Sequence, residues 1–213
     1  MALMDDISGN LQKGRAKAVA DLVAQAIDQN IPAKEILDKG LIAGMTIVGE
    51  KFKNNQVYVP EVMIAARAMN AGTALLKPLL VGEGVRSSGK VCIGTVKGDL
   101  HDIGKNLVKM MMEGKGLEVI DLGVNVSPEK YLETARSEHC QVVACSALLT
   151  TTMGVMRDVV HVFEEAGMRG RVKIMVGGAA VTQQFCDKIS ADAYTEDAAS
   201  AAEVALAFCR QAL

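Results

Sequence analysis

Tryptophan is absent from this 213-residue chain, and aromatic residues make up only 3% of it. A core with so few rings has to be filled by Ala, Val, Leu, Ile and Met, which the 50% hydrophobic content supplies. That composition still folds as an ordinary globular protein. Neither sign of charge dominates: 23 Lys and Arg stand against 25 Asp and Glu, a net charge of −2 with no basic block. The electrostatic footprint of a nucleic-acid binder is therefore missing. No stretch reaches ~18 consecutive apolar residues, so no membrane span is expected. The first residues, MALMDDISGN, are acidic early and lack the basic and apolar regions of a signal peptide. The five cysteines (Cys92, Cys140, Cys145, Cys186, Cys209) form no CxxC pair, and most sit inside apolar runs. Reduced thiols packed as small hydrophobes are expected. These absences describe a soluble cytoplasmic protein with no nucleic-acid or membrane partner.

The length allows one or two domains at ~150 residues each, and two rhythms divide the chain. In RAKAVADLVAQAIDQN, apolar Val19, Leu22, Val23, Ala26 and Ile27 recur at helical spacing. Pro32 suits a first helical turn, and Ile36, Leu37, Ile42, Met45, Val48 and Phe52 follow in phase. Pro60 opens another helix expected to end near Pro78, and a short helix should precede Gly14. Residues 1–81 thus read as a helical bundle. VGEGVRSSGK, rich in Gly and Ser, supplies a linker over 82–89. Beyond it, over 90–213, five apolar runs (VCIGTV, LEVIDLG, CQVVACSAL, RVKIMVGG, ADAYTED) alternate with helix-length amphipathic stretches. Five β–α units predict an α/β fold, a five-stranded parallel sheet with helices on both faces. In such sheets ligands bind beyond the carboxyl ends of the strands.

GTVKGDLHDIGKN, positions 94–106, lies at that edge. It places His101, one of three histidines, on the loop leaving the first strand, between Asp99 and Asp102 and close to Gly98 and Gly104. A neutral imidazole is a good ligand for a transition metal such as cobalt. A ligating histidine commonly donates its other ring N–H to a carboxylate, which Asp99 can supply. Gly104 lets the backbone approach something large and flat. Equally, Asp99 or Asp102 could cap the following helix and leave His101 in solvent. Met110, Met111 and Met112 read as helix packing, His139 and His161 as incidental, and Cys145 as a packed strand residue.

Two further features fall at strand ends: Ser146 and Leu148 in CSALLTTT, and Gly177 and Gly178 in VGGA. Forty-one residues separate Gly104 from Ser146, and 28 separate Leu148 from Gly177. The series D-x-H-x-x-G, S-x-L, G-G at these separations resembles the signature of cobalamin-binding proteins. GMTIVGEKFKNNQVYVPEVMIAARAM resembles the helical cap of their methyl-carrying members, such as the cobalamin-binding region of methionine synthase and the corrinoid proteins of anaerobic methyltransferase systems. The resemblance implies a Rossmann-like domain holding the lower corrin face under a helical cap. It makes His101 the cobalt's lower axial ligand in place of the cofactor's dimethylbenzimidazole. Around the loop it implicates Gly98, Asp99, Asp102, Ile103 and Gly104. Ser146, Leu148 and Thr150 would contact the buried tail, Gly177 and Gly178 would leave room for it, and Ala198 would lie near the corrin edge. Thr152 stands where methionine synthase continues the His–Asp relay with a serine. Phe52, Val59 and Val62 match the apolar residues over the methyl ligand.

The implied function is a carrier whose cobalt cycles between Co(I) and methyl–Co(III). It would be a non-catalytic subunit taking a methyl group from a substrate-specific methyltransferase and passing it to a second one that uses a folate or thiol acceptor. A reductive activator would be the third partner. A cobalamin-sensing regulator ranks second, since it would normally add a DNA-binding or signalling domain. An adenosylcobalamin mutase subunit ranks third, since such subunits usually lack this cap. The methyl donor never touches such a carrier, so methanol, methylamines, aryl methyl ethers and quaternary amines all remain open.

Overall fold

A computed structural model describes residues 2–84 and 87–211. Val85 and Arg86 of the expected linker, and Ala212 and Leu213 beyond the last helix, lie outside the described residues. The chain forms two compact units. One runs from the N-terminus to Ser87 with Gly114–Gly116; the other comprises Ser88–Glu113 and everything from Leu117 on.

The N-terminal unit is helical: α1 (Ala2–Gln12), α2 (Ala16–Asp28), α3 (Ala33–Glu35), α4 (Ala43–Lys53) and α5 (Val59–Gly82), with a π-helical segment Ile36–Ile42 joining α3 to α4. Packing runs α2 along α5, and α1 against the π segment and α4. Gly40 and Gly44, one helical turn apart, meet Ile7 and Ser8 of α1, where a Cβ would come within 3.0–3.1 Å of their atoms. Two expectations are corrected here. The π segment adds a residue to the turn, so Leu41 is fully buried while Leu37 and Ile42 are only partly so. The last helix also passes through Pro78 and ends at Gly82. The proline ring removes the bond to the Ala74 carbonyl, and only four helical residues follow it.

The second unit carries β1 (Lys90–Thr95), α6 (Ile103–Gly114), β2 (Glu118–Asp121), α7 (Pro128–Ser137), β3 (Val142–Ser146), α8 (Gly154–Glu165), β4 (Lys173–Gly177), α9 (Gln183–Lys188), β5 (Ala193–Tyr194) and α10 (Ala198–Gln211). All four strand pairings are parallel, in the order β2-β1-β3-β4-β5. Helix starts follow local chemistry: Ser127 caps α7 ahead of Pro128, and Thr182 caps α9 by accepting the Phe185 N–H at 3.2 Å. Tyr131 of α7 and Met156 and Phe163 of α8 are fully buried in one cluster with Cys92, Val143, Cys145 and Ile174 of the strands. This is the five-strand Rossmann-like architecture expected, following a helical N-terminal region. Among the described residues, no helix is long and apolar enough to cross a membrane.

Strand order positions the site. The chain steps from β1 outward to β2, then crosses to β3 on the other side of β1. Loops leaving β1 and β3 therefore diverge and open a crevice at their carboxyl ends. Thr95 ends β1 and pairs in register with Ser146, which ends β3 and pairs in turn with Gly177 at the end of β4.

Candidate functional site

Asp99 is the centre of this edge. Its side chain is 0% exposed, and its two carboxylate oxygens divide the surrounding donors between them. Oδ1 accepts from the His101 backbone N–H at 3.1 Å and lies 2.7 Å from His101 Nδ1. Oδ2 accepts from the backbone N–H groups of Leu148 (2.8 Å) and Leu149 (3.2 Å) and from the Thr152 hydroxyl (2.9 Å). Burial works against ionisation, but the His101 backbone and ring, with the Leu148 and Leu149 amides, outweigh it. The carboxyl is held well below the usual carboxylate range. An ionised carboxylate only accepts, so neutral His101 carries its proton on Nδ1. Its Nε2 then bears a lone pair and has no partner among the described residues.

The imidazole is 53% exposed, flanked by Leu100 at 70% and Ile103 at 78%. Leu148 and Leu149 are exposed on the neighbouring loop. Exposed leucine and isoleucine on both segments give this edge an apolar platform beside the oriented lone pair, with Asp102 and Thr150 exposed on the same segments. A Cβ at Gly104, in the first turn of α6, or at Gly177, ending β4, would meet nothing within 4 Å, so both glycines border open space. Among the described residues, no group of three or more His, Cys, Asp or Glu could hold a metal ion. A metal bound through His101 must bring its remaining ligands with it. That requirement, with the apolar platform and the open glycines, fits a metal already held in a large planar macrocycle.

The other expected residues take varied places. Neither Asp99 nor Asp102 caps α6: Asp99 turns back on His101, and the Asp102 carboxylate accepts the Asn106 side-chain amide at 3.1 Å. Gly98 has φ +86° and donates its N–H to Asn125 Oδ1 at 2.8 Å. Ser146 is partly buried, and Thr150 is exposed in the turn after β3. At Gly178, φ is +131° and a Cβ would overlap the Ala147 carbonyl. The fold therefore demands this glycine with or without a ligand. Ala198 is buried at the start of α10, which Asp197 caps through the Ala199 and Ser200 amides. Phe52, Val59 and Val62 belong to the helical unit, the first two partly buried and Val62 fully so. Met111 and Met112 are buried and Met110 partly so. His161 lies 3.3 Å from Glu165 on α8, and burial pushes the Cys145 thiol up to about 12. That thiol stays protonated near neutrality, as a packing residue should.

Several contributors escaped sequence reasoning. Leu148 serves Asp99 through its backbone, as does Leu149, and Asn125 reaches the loop from between β2 and α7. Thr95, fully buried, donates its hydroxyl to the His101 carbonyl at 2.9 Å. Lys105, 2% exposed, pairs with Asp121 at 2.6 Å and ties α6 to the end of β2. None of these carried a sequence signal, since Lys105 lies among other polar residues of an amphipathic helix and only the tertiary structure buries it.

Comparison with known proteins bears on the same edge. Residues 89–205 match a B12 binding domain family, and residues 3–77 match a second family of the same description. Dimethylamine corrinoid protein 3 of Methanosarcina acetivorans is 40% identical over 204 residues, covering 93% of this chain and 96% of that protein. Trimethylamine corrinoid protein 1 of Methanosarcina mazei is 42% identical over 181 residues, covering 84% of each. The crystal structure of the methanol:cobalamin methyltransferase complex of Methanosarcina barkeri superposes with a TM-score of 0.89 at 30% identity, covering 98% of this chain and 80% of that one. From its β–α architecture, its strand-end motifs and these matches along both units, this chain belongs to the B12-binding corrinoid proteins, and its cofactor is a corrinoid.

Proposed function

We propose that the protein carries a methyl group between two methyltransferases, with His101 Nε2 as the lower axial ligand of its corrinoid. Bound there, the corrinoid supplies a cobalt centre able to accept and release a methyl group, and the difficult chemistry belongs to it. The protein's residues hold, orient and tune. Asp99 keeps the Nδ1 proton in place, which fixes the ring's orientation and presents the Nε2 lone pair. Thr152 donates to the opposite carboxylate oxygen, and its single proton lies between Asp99 Oδ2 and the Leu149 carbonyl, each at 2.9 Å. Gly104 gives the corrin close approach to the loop. Ser146, Leu148, Thr150 and Gly177 border the space for the nucleotide tail.

The observation that carries this reading is the 2.7 Å approach of the buried Asp99 carboxylate to Nδ1 of a half-exposed histidine at the switch point between β1 and β3. A partner methyltransferase specific for a methylated substrate, an acceptor methyltransferase and a reductive activator complete the system. The relatives named for dimethylamine and trimethylamine favour a methylamine as the donor.

Two measurements test the proposal. Electron paramagnetic resonance of the Co(II) protein should show nitrogen hyperfine coupling that changes on 15N-labelling of histidine and is lost in His101→Ala. Unchanged coupling after labelling overturns the ligation. The reduced, corrinoid-loaded protein should be methylated slowly by a free donor and rapidly once the matching methyltransferase is added. Rapid saturable methylation by donor alone would make the chain an enzyme in its own right.

A further inference from the structure

Beyond the His101–Asp99–Thr152 series, the backbone that carries His101 is gripped by one residue from a different loop. Asn125, in the turn between β2 and α7, donates its N–H to the Asp99 carbonyl at 3.0 Å and accepts the Gly98 N–H on its Oδ1 at 2.8 Å. The two bonds hold both ends of the Gly98–Asp99 dipeptide. Asn125 reaches them with φ +56°, the left-handed conformation that asparagine tolerates better than other non-glycine residues. Its side chain is exposed, so core packing does not account for it. Only a carbonyl oxygen can accept the Gly98 N–H, which fixes the amide's orientation.

The consequence follows from what else anchors the loop. The Asp99 carboxylate is pinned by its donors, and the His101 carbonyl by the Thr95 hydroxyl at 2.9 Å. The Asp99 N–H also donates to the Val96 carbonyl at 3.1 Å, which leaves the Gly98 N–H and the Asp99 carbonyl to Asn125; without those two bonds the peptide groups on either side of that anchor can rotate and carry the ring with them. We propose that Asn125 is a positioning residue for the axial ligand, acting through the Gly98 and Asp99 peptide groups to aim the His101 ring. This rests on His101 being the ligand.

The test uses the full chain, titrated with cobinamide, a corrinoid without the nucleotide tail, so that the axial bond contributes most of the binding. Asn125→Gly keeps the left-handed backbone and removes the acceptor, and it should weaken cobinamide binding about fivefold. Asn125→Asp keeps an acceptor at the same place and should bind within about twofold of wild type. In a His101→Ala background, Asn125→Gly should add no further loss, because it acts through the ring. The Co(II) nitrogen hyperfine signal of Asn125→Gly should show a larger histidine-free fraction than wild type. Wild-type affinity and an unchanged signal in Asn125→Gly overturn the inference while leaving the ligation intact. An equal loss in both backgrounds overturns it too, since Asn125 would then only support the fold. If His101→Ala itself leaves cobinamide binding unchanged, the ligation reading fails and this inference with it.

Discussion

Replacing Asp99 with asparagine keeps the side chain's shape and turns one acceptor oxygen into an N–H donor. The buried carboxylate serves five donors, two from His101 and three from the loop after β3. The amide oxygen can keep only one of these groups. Facing the loop, it retains Leu148, Leu149 and Thr152 as neutral rather than charge-assisted bonds, each weaker by about 1 kcal/mol. The amide nitrogen then faces His101, where the backbone N–H is left without an acceptor at a cost of about 1–3 kcal/mol. Relief of the carboxylate's desolvation offsets part of this, and a net loss of about 2–4 kcal/mol is expected. The imidazole can answer by accepting on Nδ1, which moves its proton to Nε2 and removes the lone pair a metal would use. Urea unfolding of the apo protein measures the first effect. Nitrogen-15 spectra of histidine at pH about 9, above the ordinary histidine range, measure the second. Wild type should show a protonated Nδ1 and bare Nε2, and Asp99→Asn the reverse. A wild-type spectrum with the proton on Nε2, or a variant unchanged in tautomer and stability, would refute the reasoning.

The two strand-end glycines should separate fold from ligand. Gly178→Ala drives a Cβ into the Ala147 carbonyl at a left-handed φ, so the apo protein should lose about 2–4 kcal/mol in urea unfolding or fail to accumulate. Gly177→Ala has open space and should leave apo stability within about 0.5 kcal/mol, while cobalamin binding weakens about tenfold and cobinamide binding does not. Equal losses for the two corrinoids would remove Gly177 from the tail's path. Acid should act through Asp99, whose carboxyl is depressed in the folded chain relative to about 3.9 unfolded. Its stabilisation is fully present above about pH 4 and is lost as pH falls toward the folded value, so the stability gap between wild type and Asp99→Asn should narrow below about pH 4. A gap constant from pH 6 to 3 would contradict this.

Much of the fold was legible because it is written in local periodicities. Apolar runs of strand length alternating with amphipathic stretches identified all five β–α units, and the capping residues Ser127 and Thr182 stand where the helices begin. The misses were also local in cause. A π segment shifts the buried stripe from Ile42 to Leu41, and α5 absorbs Pro78 near its end. Period counting assumes 3.6 residues per turn and treats proline as a stop, so neither could be foreseen.

The site divides along the same line. His101 and Asp99 share one loop with Gly104 in the first turn of the helix after it, and alone they offered a ligand with its supporting carboxylate no more strongly than a helix cap; the strand-end motifs S-x-L and G-G at their separations tipped the reading. What the chain order could not reveal is who completes the loop. The amides of Leu148 and Leu149 and the Thr152 hydroxyl reach Asp99 across 49 to 53 residues, and Asn125 reaches Gly98 across 27. Two of those partners act through backbone groups, which every non-proline residue possesses and no sequence pattern marks. They meet because β1 lies between β2 and β3 in the sheet, an order set by which strands pair rather than by which follow one another. The three motifs at their separations thus determined the kind of chemistry, while strand pairing decided which distant groups make Asp99 an anion and leave His101 Nε2 free.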